Sequence, residues 1–259
     1  MDILFVHGAL VRDGQWWWQP TADLMQAETG VRSRALALPS CGERPADGRG
    51  DKRIGAVAGA AAPAAEGSTA GGTDEPATGL AADAAALRRA LDESDEVVVV
   101  AHSYGGTVVA EAGAHPAVAH LLLVSSYLPD VGRSQGAVMS GEVDPVRIGD
   151  AGDGRSGIAG YDTDSFGARF LHDGTPEQQR EAFRRVTTQD AASFTTPTTR
   201  AGWQGVDSTY LVCADDRSTS VALQREHAAR ATRSVDVPTG HHPFLTRPDL
   251  VVAQLRALV

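Results

Sequence analysis

The chain has 259 residues, 42% hydrophobic and 22% charged, an ordinary globular composition with room for one sizeable α/β domain. Its formal net charge of −10 argues against nucleic acid or an anionic membrane surface as partner, since both need clustered positive charge. Two cysteines, Cys41 and Cys213, make neither a disulfide framework nor a zinc site.

The opening Met1-Asp2 leads straight into Ile3–Val6, an apolar run that reads as a strand and opens into the turn His7-Gly8-Ala9. No basic segment precedes an apolar core there, and no apolar run approaches the roughly 18–20 residues that span a bilayer. The expectation is a soluble cytoplasmic protein. Trp16, Trp17 and Trp18 follow, then Pro20 and a helical pattern through Leu24 and Met25 that Gly30 stops, with Thr21 and Asp23 suiting its N-terminal cap. Three adjacent indoles on one helix cannot face one way, so at least one belongs to the core. Val31–Leu38 predicts a second strand. Residues 40–78 turn to Ala, Gly, Pro and charge, a low-complexity connection facing solvent. Leu80, Ala84, Leu87 and Leu91 recur at helical spacing.

Val97, Val98, Val99 and Val100 then form a β-branched run without a polar residue, the pattern of a strand buried on both faces of a parallel sheet. Ala101-His102-Ser103-Tyr104-Gly105 follows at once. Small residues two before and two after a serine let strand and helix pack closely around a strained turn, the arrangement of a nucleophile elbow. Thr107, Val108, Val109, Ala110 and Ala112 continue as a short helix ending at Gly113, whose N-terminus favours negative charge beside Ser103. Ala119–Val124 predicts another buried strand, leading to Ser125, Ser126, Tyr127 and Asp130.

Residues 131–206 contain no run suited to a central strand. They are Gly- and Asp-rich at first, then helical around Phe166 and Phe170 and from Pro176 through Val186, as in a cap inserted over an active site. Tyr210–Cys213 resumes the sheet and ends in Ala214-Asp215-Asp216. A helix from Val221 to about Ala231, a short strand Ser234–Val237, the turn Gly240-His241-His242 and a helix from Pro248 complete the chain. The alternation predicts an α/β fold of about six mainly parallel strands, with residues 1–130 and 207–259 as core and 131–206 as a helical cap insertion.

Ser103, Asp216 and His241 all fall at carboxyl ends of predicted strands, where parallel sheets open their ligand crevice. A serine hydroxyl needs a base to become a nucleophile. A histidine serves at neutral pH, and a carboxylate on its far nitrogen fixes the tautomer. His242 competes with His241 for the base, and Asp215 and Asp130 compete with Asp216 for the acid. The candidate oxyanion donors are the N–H groups of Ala9 and Tyr104; losing one such donor costs on the order of 3 kcal/mol of barrier. No His/Cys/Asp/Glu spacing suggests a metal, and adjacent His241 and His242 make a poor chelate. Neither a Walker loop nor a dinucleotide glycine fingerprint occurs, so no cofactor is expected.

His7-Gly8-Ala9, Ala101–Gly106, Cys213–Arg217 and His241–Pro248 together resemble the α/β-hydrolase superfamily, and within it the small serine esterases related to plant methylesterases and hydroxynitrile lyases. The resemblance implies Ser103 as nucleophile, Asp216 as acid, His241 as base, and Ala9 and Tyr104 as oxyanion donors. The lyases carry Thr and Lys where this chain has Gly8 and His242, which argues against cyanohydrin cleavage. The expected function is cleavage of a small-molecule carboxylic ester through an acyl-enzyme, in a pocket drawing on Leu10, Tyr104, Tyr127, Trp203, His242 and residues near Phe166 and Phe170. The alternatives are a cofactor-free lyase, dehydratase or cyclase on the same scaffold, or a non-catalytic ligand receptor. Oligomeric state is beyond the sequence.

Overall fold

The valine run lies at the centre of the molecule. The computed structural model describes residues 1–43 and 77–259, so most of the connection expected over 40–78 lies outside the described residues. In chain order, β1 (Asp2–Val6), α1 (Gly14–Thr29), β2 (Ser33–Ala35), α2 (Gly79–Asp92), β3 (Val97–His102), α3 (Gly105–Ala112) and β4 (Val118–Val124) build the first half. An excursion follows, with α4 (Gln135–Met139), β5 (Ile148–Gly152), β6 (Arg155–Ile158), α5 (Thr163–Phe170), α6 (Pro176–Phe183), β7 (Gln189–Asp190) and α7 (Ala192–Thr195). The chain then returns through β8 (Ser208–Cys213), α8 (Val221–Ala228), β9 (Arg233–Val237), α9 (Pro243–Thr246) and α10 (Pro248–Leu255).

Six strands pair side by side in the order β2-β1-β3-β4-β8-β9, every pairing parallel. All six residues of β3 are buried, as a strand covered on both faces requires. Alternation sends Ile3, Phe5, Val98, Val100, Leu122 and Val124 to one face, where α1 and α10 pack. Leu4, Val6, Val99, Ala101, Leu121 and Leu123 go to the other, against α2 and α3. Because all strands run one way, the loops after β1, β3, β4, β8 and β9 gather at a single edge. Among the described residues, no helix is long and apolar enough to cross a membrane.

Two sequence expectations change. Helix α1 begins at Gly14, not beyond Pro20: the Asp13 carboxylate accepts from the Trp16 N–H at 3.4 Å as N-cap, and Pro20 sits inside the helix. An interior proline costs about 3 kcal/mol. Trp17 and Trp18 are almost wholly buried, and at roughly 25 cal/mol per Å² their indole surface outweighs that cost. Trp18 lies between Phe5 and Phe244, while Trp16 stays part-exposed beneath the Arg185 guanidinium. Thr21, expected as a cap, instead donates its hydroxyl to the Phe244 carbonyl at 2.8 Å.

The insertion expected to be a helical cap also carries strands, in its Gly- and Asp-rich start. That start forms an antiparallel hairpin of β5 and β6, joined on its far side by β7. Asp153 and Gly154 both take positive φ at its tip, 52° and 70°. An Asp-Gly pair supplies that mirror-image turn. None of these strands enters the six-stranded sheet, as the sequence leads one to expect.

Candidate active site

Ser103 occupies the turn between β3 and α3 with φ 51°, a left-handed conformation that a serine adopts only under constraint. The constraint is the close approach of strand and helix. A Cβ on Gly105 would lie 2.6 Å from the Val6 carbonyl oxygen, and one on Gly106 would overlap the Tyr127 carbonyl oxygen. Both glycines are therefore steric requirements of the turn. The backbone N–H groups of Ala9 and Tyr104 flank it, and among the described residues neither donates to a protein acceptor.

The turn after β9 presents His241, whose Nδ1 lies 2.7 Å from Asp216 Oδ2, after β8. Asp216 is heavily solvated by protein donors. Oδ1 accepts from the N–H groups of Ser218 and Thr219 at 2.7 and 3.0 Å. Oδ2 accepts from the Ser125 hydroxyl at 2.7 Å and from Gln224 Nε2 at 3.0 Å. Burial alone would raise its pKa, but His241 and these donors together hold it below the usual carboxylate range. The rival acids stand elsewhere: Asp215 is exposed, and Asp130 is exposed and paired with Arg230. Ser103 and His241 line one cavity, without a hydrogen bond between Ser103 Oγ and the ring among the contacts of the described residues.

Two further imidazoles crowd His241. His102 donates from Nε2 to the His241 carbonyl at 3.0 Å, and His242 donates from Nδ1 to the Phe170 carbonyl at 2.9 Å while stacking on Trp17. Burial, reinforced by the neighbouring rings, pushes His102 well below its ordinary pKa and His242 down to about 3. Both are neutral at physiological pH. His7 behaves oppositely. Burial disfavours its charge, yet Glu43 at 2.8 Å and the Gly8 carbonyl at 2.8 Å outweigh that and raise its pKa. Glu43 is itself drawn down to about 2: the His7 contact and the N–H groups of Leu38 and Asp13 outweigh its desolvation.

The excursion and the strand-end loops enclose the cavity. Leu10, Tyr127 and His242 line it together with Phe166 and Phe170, and among the described residues no Asp, Glu, Lys or Arg does. Gln135 is the polar residue that the excursion contributes, its Oε1 accepting from the Thr107 hydroxyl. Two expected lining residues are not there. Tyr104 directs its side chain into the core beneath α3, donating its hydroxyl to Asp83 Oδ2 at 2.8 Å, because its backbone already occupies the turn. Trp203 packs against the opposite flank, its Nε1 donating to the Pro129 carbonyl at 3.1 Å and its ring covered by Arg230.

Ser125, Gln224 and Glu43 carry no sequence motif and are found only through the fold. Ser125 did have a signal: a polar residue immediately after the apolar run Leu121–Val124 of β4, on the edge where Ser103 and Asp216 fall.

The sequence profile of the alpha/beta hydrolase family matches residues 3–254, and the chain belongs to that family. It is 28% identical over 193 residues to the alpha/beta hydrolase nvfD of Aspergillus novofumigatus, covering 67% of this chain and 76% of that protein. Among solved structures, a pyrethroid hydrolase from Sphingobium faniae superposes with a TM-score of 0.71 at 19% identity, covering 99% of this chain and 96% of the other. A mutant of polyneuridine aldehyde esterase does so with 0.73 at 14% identity, covering 99% and 98%. These likenesses establish the fold.

Proposed function

We propose that the protein is a serine hydrolase cleaving neutral, largely apolar carboxylic esters to an acid and an alcohol. The observation that carries this reading is Ser103 sharing a cavity with His241, which is paired with the buried Asp216, beside two N–H groups that have no protein acceptor among the described residues. In the proposed sequence, the ester carbonyl lodges against the Ala9 and Tyr104 N–H groups, and His241 Nε2 removes the Ser103 proton as Oγ attacks. Asp216 holds Nδ1–H throughout, so Nε2 is the basic nitrogen and the imidazolium that forms is stabilised. The tetrahedral intermediate expels the alcohol, which takes the proton from His241. Water then repeats the sequence on the acyl-enzyme and releases the acid. In this reading the Ser103–His241 hydrogen bond forms when substrate fills the cavity, as catalytic contacts do on formation of a Michaelis complex.

The described lining residues are uncharged, which supports a neutral substrate, since an ion would find no partner among them. The excursion over 131–206 acts in this reading as the cap that sets acyl and alcohol preference, through Met139, Ile148, Phe166 and Phe170. The test is a panel of chromogenic esters varied in acyl chain and alcohol, run on the wild type and Ser103→Ala. Turnover by the wild type with a mass increment of one acyl group on Ser103, both lost in the variant, is expected. Undiminished turnover in Ser103→Ala overturns the reading.

A further inference from the structure

We infer that His102, His241 and His242 form a binding site for a divalent transition-metal ion, Zn²⁺ being the natural case, at the base of the cavity. One ring nitrogen from each residue lies within 4.8 Å of those from the other two, and all three residues are buried. Ring centroids are 4.5, 4.8 and 4.9 Å apart. Sequence spacing conceals this trio, because His102 comes from the β3 turn, 139 residues from His241.

A second feature distinguishes the trio from accidental crowding. Each imidazole already donates one N–H to an oxygen: His241 to Asp216, His242 to the Phe170 carbonyl, His102 to the His241 carbonyl. Metal-bound histidines carry the same outer contact, which fixes the tautomer and leaves a lone pair on the other nitrogen. Here it leaves one each on His102 Nδ1, His241 Nε2 and His242 Nε2. Three neutral nitrogens and an open side toward the cavity suit Zn²⁺, Co²⁺ or Ni²⁺, and exclude the oxygen-seeking Ca²⁺ and Mg²⁺. Among the described residues no Lys or Arg lines the cavity to repel a cation, and the positive charge favoured on His7 is balanced by Glu43. Tetrahedral Zn–N bonds of about 2.05 Å place the nitrogens about 3.3 Å apart, so binding draws the rings inward by up to about 1.5 Å.

The ion would occupy the His241 nitrogen that ester hydrolysis needs, making this a reversible inhibitory site. The inference does not rest on the hydrolase chemistry, and binding is measured without substrate. Equilibrium dialysis of the wild-type chain against ZnCl₂ is expected to give one saturable equivalent, and CoCl₂ to give the strong visible absorption of a four-coordinate ion. Trp17, stacked on His242, is expected to lose fluorescence as Co²⁺ binds. In His242→Phe and in His102→Phe, affinity is expected to fall about tenfold or more. Absence of a saturable equivalent on the wild type overturns the inference, and so does an affinity unchanged in both variants, which would locate the ion at the exposed His115–Asp92 pair instead. A chain that cleaves esters but binds no Zn²⁺ refutes this inference alone. One that binds Zn²⁺ but cleaves no ester refutes the hydrolase reading alone.

Discussion

Ser125 gives its hydroxyl to Asp216 at 2.7 Å and lies 3.2 Å from His241 Nδ1, so a second serine is in contact with the Asp216–His241 pair. It stands at the carboxyl end of β4 with φ 42°, held there by the strand pairing on either side. Without its hydroxyl, the Asp216 carboxylate keeps four donors but gains freedom to rotate away from His241. Ser125→Ala is expected to lower kcat about tenfold with KM little changed, the equivalent of about 1.4 kcal/mol and within the range of one hydrogen bond to a charged group. Ser125→Gly, which relieves the positive φ, is expected to lose as much activity but less stability. Equal kcat in the wild type and both variants would show that the hydroxyl does not position the pair.

The His7–Glu43 pair behind the Gly8–Ala9 turn makes stability depend on pH in a defined direction. The folded pKa of His7 is raised above 6.5, so its contribution is complete below that value and is lost as pH rises through the folded one. Glu43 is lowered from 4.5 to about 2, so its contribution is complete above 4.5 and is lost as pH falls toward 2. Stability from this pair therefore peaks between about 4.5 and 6.5. Urea midpoints across pH are expected to decline on the alkaline side in the wild type. In Glu43→Gln that slope disappears, and the variant is less stable by about 3 kcal/mol near pH 6.

Local pattern and long-range contact divide what was legible in the sequence. The β3 run, the Ser103 turn and the strand-end positions of Asp216 and His241 are legible because each is specified by its immediate neighbours. Pro20 misleads because its usual place is the first helical turn, and only the burial of Trp17 and Trp18 explains why a helix continues through it. The Asp153-Gly154 hairpin carries a short-range signal, but most residues of its strands are Gly or polar and they lack alternation. Trp203 shows a different limit. A lone indole in a loop declares that it will be buried, not which cavity or flank buries it. Ser125 and Asp216 meet across 91 positions and His7 and Glu43 across 36, and no periodicity encodes such pairs.

Gly106 is a stringent test of the turn around Ser103. An added methyl group would overlap the Tyr127 carbonyl oxygen and press on Ser126 Cβ, both in the segment that follows β4. Neither neighbour can yield, since Ser126 is itself tied through its hydroxyl to the Ala101 carbonyl at 2.7 Å. Gly106→Ala is expected to cost about 3 kcal/mol or more and to abolish activity in whatever fraction folds. A thermal midpoint within a few degrees of the wild type would mean that α3 can shift away from the segment after β4 at little cost.

Trp203 and Met139 separate packing from recognition. Trp203 touches the core on the flank away from the cavity, whereas Met139 reaches the cavity from α4 and is only partly buried. Trp203→Phe removes the Nε1–Pro129 hydrogen bond and part of the surface beneath Arg230. It is expected to cost about 1–3 kcal/mol of stability and to leave KM unchanged across the ester panel. Met139→Ala removes apolar surface from the cavity wall at little structural cost. KM for bulky apolar esters is expected to rise several-fold, with short-chain esters unaffected, because each buried methylene contributes about 0.8 kcal/mol of binding. The opposite pattern, with KM moving in Trp203→Phe and not in Met139→Ala, would place the substrate on the far side of the sheet edge from Ser103.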